Sequence, residues 1–169
     1  MRVFLVGYMG SGKTGTGKEL AAKAGYPFLD IDEMIEERYR ISVLDFFDKY
    51  GEETFRKIER SILLETLDIP DIIIATGGGT PCFFDNMEII RQNGTCIYLR
   101  MEPDELIARL AGIRKKRPLL KDKSREELDS YIRSQLSERE FFYRRAHHIV
   151  SQGEGAVEAI MKIFRSELK

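Results

Sequence analysis

The sequence predicts an α/β fold in which helices cover both faces of a parallel sheet. Three observations carry this prediction: strand-like and helical patterns alternate along all 169 residues, the strands are apolar nearly throughout, and no linker-like stretch divides the chain. Strands without a polar face are typical of parallel sheets, because both sides of such sheets are buried. We therefore expect a single domain over residues 1–169, with right-handed crossovers.

The elements follow one another in a regular order. The predicted strands are runs rich in β-branched and aromatic residues, at 2–6, 27–30, 71–76, 95–100 and 147–151. Helical patterns separate them, at 13–24, 33–38, 43–49, 53–67, 85–93, 103–111, 125–145 and 155–167. The stretch 112–124 fits neither pattern, since it holds six lysine or arginine residues, a proline and helix-ending signals. We predict that it is a mobile basic surface loop.

The composition excludes several classes of protein. Lys and Arg (27) nearly balance Asp and Glu (28), so no overall field draws the chain to nucleic acid or to an anionic membrane. No apolar run approaches the roughly 20 residues that span a bilayer, and the N-terminal run is too short and strand-like for a signal peptide. Cys82 and Cys96 are not spaced as a metal or redox pair. We therefore expect free thiols and a cytoplasmic location.

The stretch "GYMGSGKT", Gly7–Thr14, fits the phosphate-binding pattern G-x-x-x-x-G-K-[ST] between a predicted strand and a predicted helix. Its glycines allow consecutive backbone N–H groups to surround a phosphate, and the helix N-terminus adds donors and a positive dipole. Lys13 is expected to reach the β- and γ-phosphates, and the Thr14 hydroxyl to ligate Mg²⁺. This pattern predicts a nucleoside triphosphate site.

Two further motifs stand where predicted strands end, which is where ligands bind in open α/β sheets. In "LDID", Asp30 and Asp32 point to the same side if the strand persists, although Asp32 could instead only cap a helix that starts at Glu33. In "ATGGGTP" (75–81), three consecutive glycines indicate that a ligand or another segment comes very close. The alternative for these glycines is a tight turn before the next helix.

Arginines supply the remaining candidates. Arg56 in "FRKIE" lies three residues before Glu59 on one helix face, so Glu59 could brace its guanidinium. Arg117 lies in the basic loop, and Arg139 lies in "REFFYRRA" late in a long helix. Each alone reads as a solvated surface arginine. Arginine nevertheless suits bidentate recognition of carboxylates and phosphates, which a substrate with an acid group would need.

The segments "GYMGSGKT", "LDID", "FRKIE", "GGG", "RPLL" and "REFFYRRA", in this order and at matching separations, resemble the shikimate kinases over essentially the whole chain. These are P-loop enzymes similar to nucleoside monophosphate kinases. The resemblance implies a three-layer αβα fold with a five-stranded parallel sheet in the order 2-3-1-4-5. It also implies ATP-dependent phosphorylation of the 3-hydroxyl of shikimate, giving shikimate 3-phosphate and ADP on the way to chorismate and aromatic amino acids. Mg²⁺ is the implied cofactor, ATP and shikimate are the implied partners, and we expect a monomer.

The resemblance also assigns roles to residues. Asp32 would hold the substrate hydroxyl and accept its proton, with Lys13 and Arg117 as the other catalytic residues. Asp30 would meet Mg²⁺ through water, beside Thr14. The residues implied to bind ATP are Gly10, Ser11, Gly12, Lys13, Thr14, Gly15, Arg109 and Arg117. The residues implied to bind shikimate are Asp32, Arg56, Glu59, Gly77, Gly78, Gly79 and Arg139.

Within these sets, Arg109 would stack on adenine, and Arg56 and Arg139 would grip the shikimate carboxylate. Helices at about 31–67 would carry the substrate, and a lid at about 112–124 would bring Arg117 onto the transferring phosphate. The chain departs from the family at Gly15, where a threonine or serine is usual. Glycine there loosens the first helical turn by up to about 1 kcal/mol and removes a hydroxyl near the phosphates.

Two other functions are alternatives. A gluconate kinase would share the P-loop and the chain length, and gluconate is also a polyol carboxylate; the triple glycine together with "FRKIE" favours shikimate. A nucleotide-binding regulatory switch specific for guanine would be expected to carry an N-K-x-D base-reading motif, which this sequence lacks.

Overall fold

The computed structural model describes residues 1–113, 120 and 122–168. Its strands are β1 (Arg2–Val6), β2 (Phe28–Asp30), β3 (Ile72–Ala75), β4 (Thr95–Arg100) and β5 (His148–Ser151). They form one five-stranded sheet in the order β2-β3-β1-β4-β5, and every neighbouring pair is parallel. The predicted parallel sheet and its strand order are confirmed.

The helices are α1 (Lys13–Ala24), α2 (Ile31–Tyr39), α3 (Val43–Glu65), α4 (Asn86–Asn93), α5 (Pro103–Ile113), α6 (Arg125–Tyr143) and α7 (Ala156–Glu167). The two helices predicted at 43–49 and 53–67 are joined in α3, which is broken only at Gly51 (φ 81°, ψ 166°). The structure therefore replaces the predicted gap with a kink, at a backbone conformation that glycine adopts without strain.

The predicted loop at 112–124 begins later than expected, because α5 continues to Ile113. Residues 114–119 and Lys121 of this loop, Arg117 among them, lie outside the described residues. The end of the loop is defined by a reciprocal cap: the Ser124 hydroxyl accepts from the Glu127 N–H, and the Glu127 carboxylate accepts from the Ser124 N–H. This capping box fixes the start of α6.

Two apolar clusters cover the two faces of the sheet. Along β1, Phe4 and Val6 enter the cluster formed with α2 to α6, whereas Val3 and Leu5 enter the cluster formed with α1 and α7. Since successive side chains of a strand point to opposite faces, both faces being covered explains why the strand sequence is apolar throughout. Within the part of the chain that is described, no helix is both long enough and apolar enough to cross a membrane.

The carboxyl ends of three adjacent strands bring the predicted motifs together. β1 leads into the P-loop, β2 ends at Asp30, and β3 leads into the triple glycine Gly77–Gly79. Because β2, β3 and β1 are neighbours and all parallel, these three segments emerge at one edge of the sheet. The two pockets described next are built at this edge.

Candidate active site

The first pocket surrounds the P-loop, and we call it the nucleotide pocket. It encloses about 590 Å³, open solvent included, and is lined by Met9, Gly10, Gly12, Lys13, Thr14, Asp30, Asp32, Thr76 and Gly78. Gly10 and Gly12 have left-handed backbone angles (φ 79° and 84°), and Gly12 is the N-cap of α1. The Lys13 ammonium is buried within the loop and donates to the carbonyls of Gly7 and Tyr8 at 2.8 and 2.9 Å. The loop is therefore curled around its own lysine.

Asp30 links the P-loop to the start of α2. Its Oδ2 accepts from the Thr14 hydroxyl at 2.6 Å, and its Oδ1 accepts from the backbone N–H groups of Asp32 and Glu33 at 2.9 and 3.3 Å. Asp30 is thus the N-cap of α2, which begins at Ile31. The strand does not persist to Asp32, and the alternative in which Asp32 only caps a helix starting at Glu33 is wrong. Both carboxylates nevertheless line the nucleotide pocket.

The oxygens of Thr14 and Asp30 fit a magnesium ion. Because the Thr14 hydroxyl donates its proton to Asp30, its lone pairs are left for a cation, and Mg²⁺ prefers hard oxygen ligands. The described residues contain no group of three or more His, Cys, Asp or Glu side chains placed to hold a metal. A magnesium ion here would accordingly take most of its ligands from phosphates and water, as is usual for this ion in phosphoryl-transfer sites.

The second pocket, the acceptor pocket, adjoins the first. It encloses about 450 Å³, open solvent included, and is lined by Met9, Asp32, Val43, Phe47, Phe55, Arg56, Glu59, Gly77, Gly78, Gly79 and Arg139. Met9, Asp32 and Gly78 line both pockets. A ligand in one pocket therefore lies next to a ligand in the other, with the Asp32 carboxylate at the junction.

Arg56 is buried in the wall of the acceptor pocket and is held by two carboxylates. Its Nη1 donates to Glu59 at 2.9 Å, which places the predicted Glu59 brace in the structure. Its Nε and Nη2 donate to Glu52 at 3.3 and 3.1 Å. The ring of Phe83 lies 4.2 Å from the guanidinium carbon, within the range of a cation–π contact. This guanidinium has a fixed position before any ligand binds.

Glu59 connects α3 to the loop after β3. Only 1% of its surface is exposed, and its second carboxylate oxygen accepts from the Thr80 hydroxyl at 2.6 Å. A buried carboxylate is costly unless it is paired and hydrogen-bonded, and here Arg56 and Thr80 satisfy both requirements. The predicted pair is thus part of a larger buried network.

The glycines of Gly77–Gly79 each lie against a different part of the site. A Cβ on Gly77 would come within 2.5 Å of a Glu59 carboxylate oxygen, and one on Gly79 within 2.5 Å of both Nη atoms of Arg56. A Cβ on Gly78 would come within 2.9 Å of a P-loop backbone nitrogen. None of the three has a left-handed backbone angle. They are therefore required by lack of space, which supports close approach over the tight-turn alternative.

Arg139 on α6 is the second buried arginine of the acceptor pocket, with 7% of its surface exposed. Among the described residues, no carboxylate oxygen lies within 4.0 Å of the Arg139 guanidinium, the distance of an ion pair. The neighbours of the guanidinium are the ring of Tyr8, whose centroid is 5.7 Å away, the Tyr143 hydroxyl and the Cys82 thiol. Burial raises the pKa of the Cys82 thiol to about 11, so that this neighbour is neutral. A buried cation without an anion suits a ligand that carries a carboxylate.

Three predicted residues line neither pocket. Ser11 is buried inside the P-loop, with 1% of its surface exposed. Gly15 is exposed in the first turn of α1, and a Cβ there would meet nothing within 4 Å. Arg109 is exposed on α5, and its Nη1 lies 3.3 Å from the Gly10 carbonyl, so it sits against the P-loop. Arg117, as stated above, is outside the described residues.

Several residues that build the acceptor pocket were not predicted. Glu52 stands four positions before Arg56, a spacing that favours a helical ion pair, so the sequence did contain a signal for it. Phe83 and Tyr143 contact the site from other elements. Tyr143 lies within "REFFYRRA", but neither its contact nor that of Phe83 can be seen in a local pattern, because both depend on how the elements pack.

Comparisons with known proteins point to one family. The family model described as shikimate kinase matches residues 9–169. A shikimate kinase of Parabacteroides distasonis is 51% identical over 145 residues, covering 86% of this chain and 84% of the relative. The crystal structure of the shikimate kinase of Bacteroides thetaiotaomicron is 38% identical, with a TM-score of 0.88 over 99% of this chain and 98% of that one.

A second solved structure, the shikimate kinase of Acinetobacter baumannii in complex with shikimate, has 34% identity and a TM-score of 0.88, covering 99% of this chain and 92% of that one. A gluconokinase of Sinorhizobium meliloti has a TM-score of 0.56 at 16% identity over 93% of this chain and 85% of that one. That likeness shows the fold alone, so the gluconate kinase alternative has no support beyond a common architecture.

Proposed function

The chain belongs to the shikimate kinase family, and on this premise we propose that it transfers the γ-phosphoryl group of ATP to the 3-hydroxyl of shikimate, giving shikimate 3-phosphate and ADP. The observation that carries the proposal is the meeting of the two pockets at Asp32. One pocket has the P-loop, and the other has two buried arginines. Shikimate, a cyclic acid with several hydroxyls, offers a carboxylate to the arginines and a hydroxyl to Asp32.

The acceptor pocket binds shikimate through charge and shape. Arg139 and Arg56 grip the carboxylate, and Glu59 holds the Arg56 guanidinium in the orientation needed for this contact. Gly77, Gly78 and Gly79 let the ring approach the backbone closely. Since charge-assisted hydrogen bonds in a partly desolvated pocket are stronger than neutral ones, the carboxylate fixes which hydroxyl reaches Asp32.

Asp32 acts at the junction of the pockets. Its carboxylate orients the 3-hydroxyl toward the γ-phosphate and accepts the hydroxyl proton as the oxygen attacks phosphorus. Asp32 lines both pockets, which supports this role, because the group that handles the proton must lie between the phosphate donor and the acceptor. Asp32 and Lys13 are the catalytic residues of the described part of the chain.

The nucleotide pocket binds ATP through the P-loop. Backbone N–H groups from Gly10, Ser11, Gly12, Lys13, Thr14 and Gly15 surround the phosphates. The Lys13 ammonium, which now faces two loop carbonyls, turns to the β- and γ-phosphates. Arg109 lies against the P-loop and stacks on adenine. The role in phosphate transfer that the resemblance implies for Arg117, in the loop at 112–124, falls outside the described residues.

Magnesium is the cofactor of the proposed reaction. Thr14 would hold the ion directly and Asp30 through a water molecule, on the geometry given above. When bound, the ion neutralises negative charge on the β- and γ-phosphates.

We further propose that the enzyme is a cytoplasmic monomer formed by one domain, in which α2 and α3 carry the substrate. Its partners are ATP and shikimate, without nucleic acid or a membrane. The near balance of 27 basic and 28 acidic residues supports the expectation that nucleic acid and membranes are not partners, because the protein has no overall positive charge that would attract a polyanion.

A coupled assay of ADP release tests the substrate. We expect turnover with ATP, Mg²⁺ and shikimate to exceed turnover with gluconate by orders of magnitude, and to be lost when EDTA removes the metal and return when Mg²⁺ is added back. Phosphoryl transfer to gluconate at an equal or higher rate would overturn the assignment. Nucleoside monophosphates serve as a third acceptor class and should give only the background rate of ATP hydrolysis.

A further inference from the structure

A chain of side-chain hydrogen bonds joins the P-loop to α6. The Tyr8 hydroxyl donates to the Gln135 carbonyl oxygen at 2.5 Å, and the Gln135 amide donates to the Tyr131 hydroxyl at 2.7 Å. Tyr8 itself is buried, with 1% of its surface exposed. Its position in the phosphate-binding pattern is one of the unspecified ones, so the nucleotide site as such does not require a tyrosine.

The same tyrosine contacts both pockets. Through its backbone, its carbonyl accepts from the Lys13 ammonium at 2.9 Å. Through its ring, it packs against the Arg139 guanidinium, whose carbon is 5.7 Å from the ring centroid. Tyr8 is therefore in direct contact with the cation of the nucleotide pocket and with an arginine of the acceptor pocket.

α6 is attached to the phosphate side of the site on either side of Arg139. Gln135, one turn before Arg139, bonds to Tyr8, and Tyr143, one turn after it, donates to the Gly78 carbonyl at 2.6 Å. Gly78 in turn packs on the Met9 backbone. Spacings of four residues place these three side chains on one face of the helix, so the position of Arg139 depends on both attachments.

We propose that Tyr8, acting through Gln135, is a positioning residue that couples occupancy of the nucleotide pocket to the placement of Arg139. The inference rests on the proposed function. A bound phosphate draws the Lys13 ammonium away from the Tyr8 carbonyl. The P-loop backbone at Tyr8 readjusts, and the phenol transmits this change to α6. Nucleotide then strengthens the binding of the acceptor carboxylate, and by linkage the acceptor strengthens the binding of nucleotide by the same factor.

The test is the coupling factor, measured by calorimetric titration of shikimate into the protein alone and into the protein saturated with ADP and Mg²⁺. We expect the wild-type protein to bind shikimate at least about fivefold more tightly with ADP, the lower end of typical coupling between sites. Tyr8→Phe, which removes one oxygen and keeps the ring against Arg139, should bring this factor to near one. Its shikimate affinity without nucleotide should change less than the coupling factor does.

Two further variants separate the link from general destabilisation. Gln135→Leu should lower the factor as Tyr8→Phe does, and the double variant should lower it no further, because both remove the same connection. Tyr26→Phe is the matched control, since the Tyr26 hydroxyl is near the Asp71 carboxylate and its ring packs on Phe164 in the other apolar cluster. It should keep the wild-type factor.

The outcomes distinguish the two proposals. If the wild-type protein phosphorylates shikimate but shows no coupling, or if Tyr8→Phe keeps the full factor, the role of Tyr8 is overturned and the proposed function stands. If the wild-type protein neither binds nor phosphorylates shikimate, the proposed function is overturned and this inference with it.

Discussion

The two pockets that meet at Asp32 are constructed in opposite ways. The nucleotide pocket comes mainly from one contiguous stretch, Gly7–Thr14, and presents backbone groups. The acceptor pocket draws side chains from α2, α3 and α6 and glycines from the loop after β3, and three of its charged side chains are buried, namely Arg56, Glu59 and Arg139. A contiguous backbone site can be recognised from a local pattern. A site assembled from distant segments depends instead on how those segments pack, and its parts support one another.

A similar contrast exists between the two arginines of the acceptor pocket. Arg56 is bonded to Glu52 and Glu59, whereas Arg139 has no carboxylate within ion-pair distance in the described part of the chain. Arg56 therefore has a role in the unliganded fold as well as in binding. Arg139 is positioned by packing and hydroxyl groups, and the acceptor carboxylate would supply its anion.

The largest effect is expected at the junction itself. Asp32→Asn keeps the size of the side chain but removes its basicity, so the rate of phosphoryl transfer should fall by about 10²- to 10⁴-fold. Affinity for ADP should change little, because the P-loop holds the phosphates. Steady-state kinetics together with ADP titration measure both quantities. A variant with normal turnover and a lower melting temperature would reduce Asp32 to a structural residue of α2.

A stability measurement tests the contrast between the two arginines. Arg56→Ala leaves the Glu59 carboxylate buried without its cation and should lower the free energy of unfolding by about 3 to 5 kcal/mol. Arg139→Ala, the matched variant, removes no partner of a buried carboxylate. It should lower the free energy of unfolding clearly less than Arg56→Ala does. Urea unfolding followed by circular dichroism gives both values. An equal loss of unfolding free energy in the two variants would mean that Arg56 has no greater role in the unliganded fold than Arg139.

The glycines sharpen the comparison between the pockets. Gly79→Ala places a methyl group on the Arg56 guanidinium and should weaken shikimate binding by about 10- to 100-fold, the cost of a lost charge-assisted contact. ADP binding should be nearly unchanged. Gly78→Ala instead presses on the P-loop backbone and should weaken ADP binding too. Calorimetric titration of each variant with both ligands tests this difference, and identical profiles would contradict it.

The smallest effect is expected at Gly15, where glycine is not required by space. A Cβ there meets nothing within 4 Å, and the residue lies in the first turn of α1 without a left-handed backbone angle. Gly15→Ala should therefore raise the free energy of unfolding by up to about 1 kcal/mol. For a chain of this size, that corresponds to a rise in melting temperature of about 2 to 4 °C. A lower melting temperature would show that the flexible turn stabilises the fold.

The fold and the nucleotide pocket could be predicted because their signals are local. Apolar strands, alternation and the P-loop pattern each lie within a few consecutive residues. Asp30 and Asp32 show the limit: aspartate suits both a strand end and a helix cap, and only the packing of α2 decided that Asp30 is the cap. The contacts of Phe83 and Gln135 could not be predicted from the sequence, since each of them joins different elements of the fold.

The triple glycine also restricts how the enzyme can evolve. Every substitution of glycine adds at least a Cβ, and at Gly77–Gly79 that atom meets a buried carboxylate, the P-loop backbone or a buried guanidinium. A single mutation in this triplet therefore displaces an atom of at least one of these three groups. Val43 and Phe47 of the same pocket are only half-buried and already carry side chains, so that a change of acceptor is more accessible there, where a substitution need not add an atom.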